Sequence, residues 1–142
     1  MFKICAYLSF RGNCREAMMF YQHCLGGQLS FQTVGESPMA TQLPYIIQDF
    51  ILHAMLITDD FALMASDITP ESGLLNGNAL SLMLHCHEEE ALYGAFYQLS
   101  KGGIVKQALE ETHWGALLGE IIDKYGHHWI LNFNGNKLLQ TT

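Results

Sequence analysis

The chain has 142 residues, 49% of them hydrophobic and 15% charged, with 14 acidic side chains against 7 basic ones and a formal net charge of −7. Its length and apolar content suit one ordinary folded domain and argue against disorder. The scattered basic residues supply neither the clustered cations that displace counterions from nucleic acid nor a polybasic patch for an anionic membrane, so neither partner is expected.

The start, Met1-Phe2-Lys3-Ile4, meets Arg11 and Asn13 too soon for the apolar region of a signal peptide. The strongest apolar run, Phe50 to Ile57, is broken by His53 and is far shorter than the ~20 residues that a bilayer requires. Cys5, Cys14, Cys24 and Cys86 have neither CxxC spacing nor the density of a disulfide framework, so reduced thiols in a cytoplasmic protein are expected.

In chain order, Ile4 to Phe10 reads as a strand. Asn13 with Glu16 three residues on predicts a helix start with a reciprocal cap. Ala17, Phe20, Tyr21, Cys24 and Leu25 fall at helical spacing, and Gly26-Gly27 ends the segment. Leu29 to Val34 is a second strand. Gly35 to Asp49, with Pro38 and Pro44, reads as a long loop. Phe50 to Thr58 and Phe61 to Ser66, separated by Asp59-Asp60, read as a hairpin.

Ala79 to His85 is strand-like and leads to Glu88-Glu89-Glu90, carboxylates suited to the positive end of a helix dipole. Ala91, Leu92, Ala95, Phe96 and Leu99 form that helix's apolar face, and Gly102-Gly103 stops it. Ile104 to Leu109, Ala116 to Ile122 and His128 to Phe133 follow, the last two joined by the turn Asp123-Lys124-Tyr125-Gly126. Each half reads strand, helix, strand, strand, strand. Glu16-Ala17 returns 74 positions later as Glu90-Ala91, the double glycines return at 76, and the closing strands, Phe61 to Asp67 and His128 to Asn134, match at 67. The expectation is a single domain over 1–142 with modules at about 3–67 and 78–134.

Four stretches carry a resemblance: Tyr7 to Ala17, Leu63 to Asp67, Glu111 to Gly115 and Asp123 to Trp129. In that order they resemble the PhnB-like family, also labelled 3-demethylubiquinone-9 3-methyltransferase-like, of the glyoxalase, bleomycin-resistance and dioxygenase (vicinal oxygen chelate) superfamily. The resemblance runs from about Ile4 to Phe133. It implies an α+β fold of two βαβββ modules, each curling a mixed sheet around a cup, and a homodimer.

The methyltransferase label finds no support in the residues. Gly26-Gly27 and Gly102-Gly103 follow helices, whereas a glycine-rich nucleotide turn follows a strand and opens a helix. The superfamily also implies a divalent ion held by His and Glu on the first and last strands of each module, acting as a Lewis acid. Aligned by its helix and glycine landmarks, this chain has Ala6, Leu63, Leu80 and Ile130 at those places. One residue earlier stand Cys5, Ala62, Ala79 and Trp129, and one later Tyr7, Met64, Ser81 and Leu131. None of these is a His/Glu set, so no catalytic metal and no cofactor are expected.

Other polar groups remain. His53 interrupts an apolar strand, where an imidazole needs a partner or a cavity, and His53-Ala54 matches the family's pattern. His85 and His87 alternate at a strand end beside acidic residues, which leaves a non-standard metal site as an alternative. Trp114 before Gly115 suits a pocket wall at a bend. Ser66-Asp67 and Asn132 close the two modules with polar groups near a cup rim. The reading is a small-molecule-binding protein with a metal-free apolar cup whose wall includes Phe10, His53, Ser66, Trp114 and Asn132; its ligand is unidentified. Whether any reaction is catalysed is left open. The alternatives are a lyase or oxygenase with a non-standard His site, or a protein that sequesters a bulky cationic toxin.

Overall fold

The computed structural model describes residues 1–70, 72–113 and 115–134. The chain divides into two compact units, Met1–Leu75 and Asn76–Thr142. In the first, β1 (Ala6–Ser9), α1 (Cys14–Leu25), β2 (Gln28–Thr33), β3 (Ile51–Ile57) and β4 (Ala62–Ser66) form a four-stranded sheet of order β1-β4-β3-β2 with one helix. In the second, β5 (Leu82–His85), α2 (Glu89–Ser100), β6 (Ile104–Glu111), β7 (Leu117–Ile122) and β8 (His128–Phe133) repeat that order as β5-β8-β7-β6. Each sheet is mixed. β1 runs parallel to β4 and β5 parallel to β8, while the other pairs are antiparallel. The α+β fold of two βαβββ modules is therefore observed.

Burial identifies the face of each sheet that takes its helix. In the first unit Leu8, Ala54, Leu56, Leu63 and Ala65 are buried with Ala17, Met18 and Tyr21 of α1. The first helix is rotated from the expected stripe: Cys14, Ala17, Met18 and Tyr21 form its innermost face, and Phe20, Cys24 and Leu25 lie at its flanks. The run Met18-Met19-Phe20-Tyr21 offers two overlapping stripes at helical spacing, and the sheet selects one. In the second unit Ile121, Trp129 and Leu131 are buried with Leu92 and Leu99 of α2, while Ala91 is exposed.

Two carboxylates organise the loops. Buried Asp67, just past β4, accepts hydrogen bonds from the N–H groups of Gly12 (2.8 Å) and Cys14 (2.9 Å) through Oδ1 and of Ile51 (2.8 Å) through Oδ2. It thereby tethers the start of α1 to β3. The expected cap is absent: Asn13 stands at the N-cap without a side-chain cap bond, and its Oδ1 accepts instead from Arg11 N–H (3.2 Å). Asp67 belongs to this tether rather than to a cup rim.

In the second unit, buried Asp123 accepts from the Tyr125 and His127 N–H groups through Oδ1 (2.8 and 3.1 Å) and from the Trp129 indole through Oδ2 (2.8 Å). It closes the β7–β8 turn. Asn134, which matches Asp67 in the repeat, is also buried, and its Oδ1 meets no hydrogen-bond donor among the described residues.

The segment expected as a long loop contains a 3-10 turn, Tyr45–Ile47, and is tied across itself. The Gln48 side-chain amide donates to the Ala40 and Leu43 carbonyls (3.0 and 3.2 Å), and Gly35 N–H donates to Gln48 O (2.8 Å).

Candidate functional site

The helix-free face of each sheet holds the groups available for binding. Side chains alternate along a strand, so residues one step from the buried rows share the opposite face. In the first unit these are Tyr7, Met64, Met55 and Ser30 in one row and Ser9, Ser66, His53 and Gln32 in the next. Tyr7 is 57% exposed, and its ring centroid lies 6.3 Å from that of half-buried His53. Two thioethers, a phenol ring and an imidazole therefore occupy one sheet face.

The other sequence-derived candidates of this unit take different places. Phe10 is 3% exposed, part of the buried interior past β1. Ser66 is equally buried, and its hydroxyl accepts from Ile68 N–H (2.9 Å) and lies 3.5 Å from Ile51 O.

In the second unit the corresponding rows are Met83, Ile130, Glu120 and Gln107, then His85, Asn132, Leu118 and Glu110. Gly119 belongs to the helix side, where an added Cβ would meet the Phe96 ring at 2.7 Å, so its neighbours Leu118 and Glu120 face away from α2. His85 Nδ1 lies 3.0 Å from Asn132 Oδ1, and the His87 ring packs edge-on at 5.2 Å between centroids. Asn132 is thus joined to His85, a pairing invisible in the sequence because 47 positions separate them and nothing local announces the parallel β5–β8 register. Met83, 60% exposed, gives this face its apolar character. Trp114 lies outside the described residues. Of the flanking residues, Thr112 N–H donates to Ala116 O (2.7 Å) and Gly115 N–H to Thr112 O (3.0 Å).

The metal expected of the wider superfamily can be tested on these donors. Ala6 and Leu63 fall on the helix side, and Leu80 precedes β5. The first and last strands of the two units present Tyr7, Ser9, Met64 and Ser66, and Met83, His85, Ile130 and Asn132, to the helix-free faces. One imidazole and no carboxylate is a poor donor set for a divalent Lewis acid, which takes several nitrogen and oxygen ligands. Among the described residues no three His, Cys, Asp or Glu side chains converge as a metal site. The residues do not fit the ion.

Two titrating groups report on the interior. Burial, reinforced by the Asp67 carboxylate, pushes the Cys14 thiol up to about 12. It stays protonated at neutral pH, and only the thiolate is nucleophilic. Cys14 is accordingly expected to resist iodoacetamide in the folded protein at pH 8 and to react fully in denaturant, as peptide mass mapping would show.

Burial also holds the His127 imidazole below its usual range, against the attraction of Asp123 and with repulsion from His128 adding to the fall. An unfolded histidine takes up its proton near pH 6.5, at a pH where folded His127 is still neutral. The neutral folded form therefore contributes stability above about pH 6.5 that is lost as the pH falls toward the lowered folded value. The melting temperature is expected to fall between pH 7.5 and 5.5, and less steeply in His127→Gln.

Comparison with known proteins agrees with this architecture. The Glyoxalase/Bleomycin resistance protein/Dioxygenase superfamily model matches residues 3–131, and the chain belongs to that superfamily. Among its relatives, protein YjdN of Escherichia coli (strain K12) is 33% identical over 135 residues, which span 89% of this chain and 91% of YjdN. The crystal structure of protein PA1353 from Pseudomonas aeruginosa superposes with a TM-score of 0.84 at 36% identity, covering 94% of this chain and 98% of that one. A PhnB protein from Bacillus cereus, provisionally labelled a 3-demethylubiquinone-9 3-methyltransferase, has a TM-score of 0.71 at 24% identity over 93% of this chain and 99% of its own, and shares the fold. No helix among the described residues is long and apolar enough to cross a membrane.

Proposed function

We propose that the protein binds a small, largely apolar organic molecule on the helix-free faces of its sheets, without a catalytic metal. The observation that carries this reading is the character of those faces. Where metal-dependent relatives need imidazoles and carboxylates, the first and last strands of the two units present Tyr7, Met64, Met83 and Ile130 beside Ser9, Ser66, His85 and Asn132. The other strands carry the further polar groups His53, Ser30, Gln32, Gln107, Glu110 and Glu120. Small-ligand sites have this composition: apolar walls with a few placed donors and acceptors. Methionines adapt their shape and favour aromatic partners. Phe10 and Ser66 support the wall from behind in this reading, and Trp114 belongs to it by sequence. A homodimer in the cytoplasm completes the proposal.

The test is a titration of methyl-labelled methionine by NMR with p-xylene. Saturable shifts at Met55, Met64 and Met83, with Met18 on the buried face of α1 unmoved, are the expected result. Shifts that do not saturate, or that appear equally at Met18, would overturn it. So would stoichiometric zinc or nickel in the purified protein that is lost in His85→Gln.

A further inference from the structure

We propose that His85 is the polar anchor for the ligand of the second unit: its Nε2 accepts a hydrogen bond from an O–H or N–H on an uncharged or cationic aromatic molecule. This inference rests on the binding reading above and adds the chemistry that the ligand must carry.

His85 sits at the end of β5, half-buried, with Nδ1 3.0 Å from Asn132 Oδ1 on the adjacent strand. A carbonyl oxygen accepts, so the proton of the neutral ring belongs on Nδ1 and Nε2 is left with a lone pair. That nitrogen is fully buried and meets no hydrogen-bond partner among the described residues. A buried polar atom without a partner keeps the whole cost of leaving water, and such atoms are rare in native proteins. A group that donates to it from a bound molecule removes this cost. Asn132 acts here as a positioning residue: it fixes the tautomer and ring plane and does not touch the ligand.

The surroundings narrow the class. Leu118, beside Asn132, and Met83, on the neighbouring row, supply apolar contact, and the edge-on ring of His87 adds an aromatic neighbour. Glu110 and Glu120 share the same face and would repel an anion. The ligand is therefore an aromatic body with one donating O–H or N–H and no negative charge. A carboxylate, acceptor-only at neutral pH, offers Nε2 nothing.

The experiment compares p-cresol with p-xylene, which differ by a hydroxyl in place of a methyl. Nitrogen-15 spectra of the histidine ring in the unliganded protein should show Nε2 as the unprotonated nitrogen of His85. p-Cresol should bind about tenfold tighter than p-xylene and shift Nε2, and His85→Phe should bring the two affinities together. Equal affinities in the wild type, or a protonated Nε2, would overturn the anchor while p-xylene still moves the methionine methyls and so upholds the binding reading. If neither compound moves those methyls, the binding reading fails and the anchor falls with it. Should His85→Phe fail to fold, the wild-type tautomer and the affinity ratio still decide.

Discussion

Asp67→Asn is expected to lower the stability of the first unit by about 3 kcal/mol, a fall in melting temperature of roughly 10 °C for a chain of this size. The carboxylate uses both oxygens, one for the Gly12 and Cys14 amides and the other for Ile51, and the N-cap residue Asn13 makes no side-chain cap bond to α1. Asparagine has a single acceptor oxygen, so it must abandon either the helix start or β3. It also turns a charge-assisted bond into a neutral one, about half as strong. Asp67→Ala removes all three bonds and orphans the amides, with an expected loss of roughly 5 kcal/mol. Calorimetry against the exposed control Asp60→Asn, expected to change the transition by less than about 1 °C, checks both. A melting point for Asp67→Asn equal to that of the wild type would refute the tether.

Gly103→Ala is expected to be nearly as damaging, for a steric reason. A Cβ at Gly103 would overlap the carbonyl oxygen of Ile122 and crowd the Asp123 backbone at 3.0 Å. Both belong to backbone that cannot move aside as a flexible side chain does. The β6–β7 pairing, Ile104 with Ile122, would have to open where the chain leaves α2. Overpacking of this kind costs about 1–3 kcal/mol, and a rigid neighbour places it at the upper end. Gly94→Ala, in α2 with open space around its Cβ, is the matched control and should stabilise slightly. Urea denaturation of the two variants measures the difference directly.

Much of the fold was legible because it depends on local rules. The double glycines mark the ends of both helices, the hairpins are bracketed by Asp59-Asp60 and by Asp123 to Gly126, and every expected strand is present within about three residues of its predicted limits. What was hidden is long-range. The parallel pairing of β1 with β4 and β5 with β8 leaves no local signature, so neither the facing rows nor the His85–Asn132 contact could be read in advance. The same limit misplaced the cap of α1. Asn13 and Glu16 have the spacing of a reciprocal cap, but a buried carboxylate some fifty residues on competes for the same amides and wins on charge. The metal question was partly legible: residue types excluded the His/Glu set, while the landmark register put Ala6 and Leu63 on the wrong side of their sheet.

The repeat is unequal at one atom. Where the first half ends its last strand on a carboxyl side chain that grips the adjoining helix, the second ends on Asn134, an amide whose oxygen meets no donor among the described residues, while Glu88 at the start of α2 makes no side-chain cap bond. Duplicated architecture does not imply duplicated rigidity. The opening turn of the second helix is the softer of the two and should lose its amide protection first. It follows directly after His85 and His87, so the softer helix start adjoins the imidazole whose Nε2 meets no partner among the described residues.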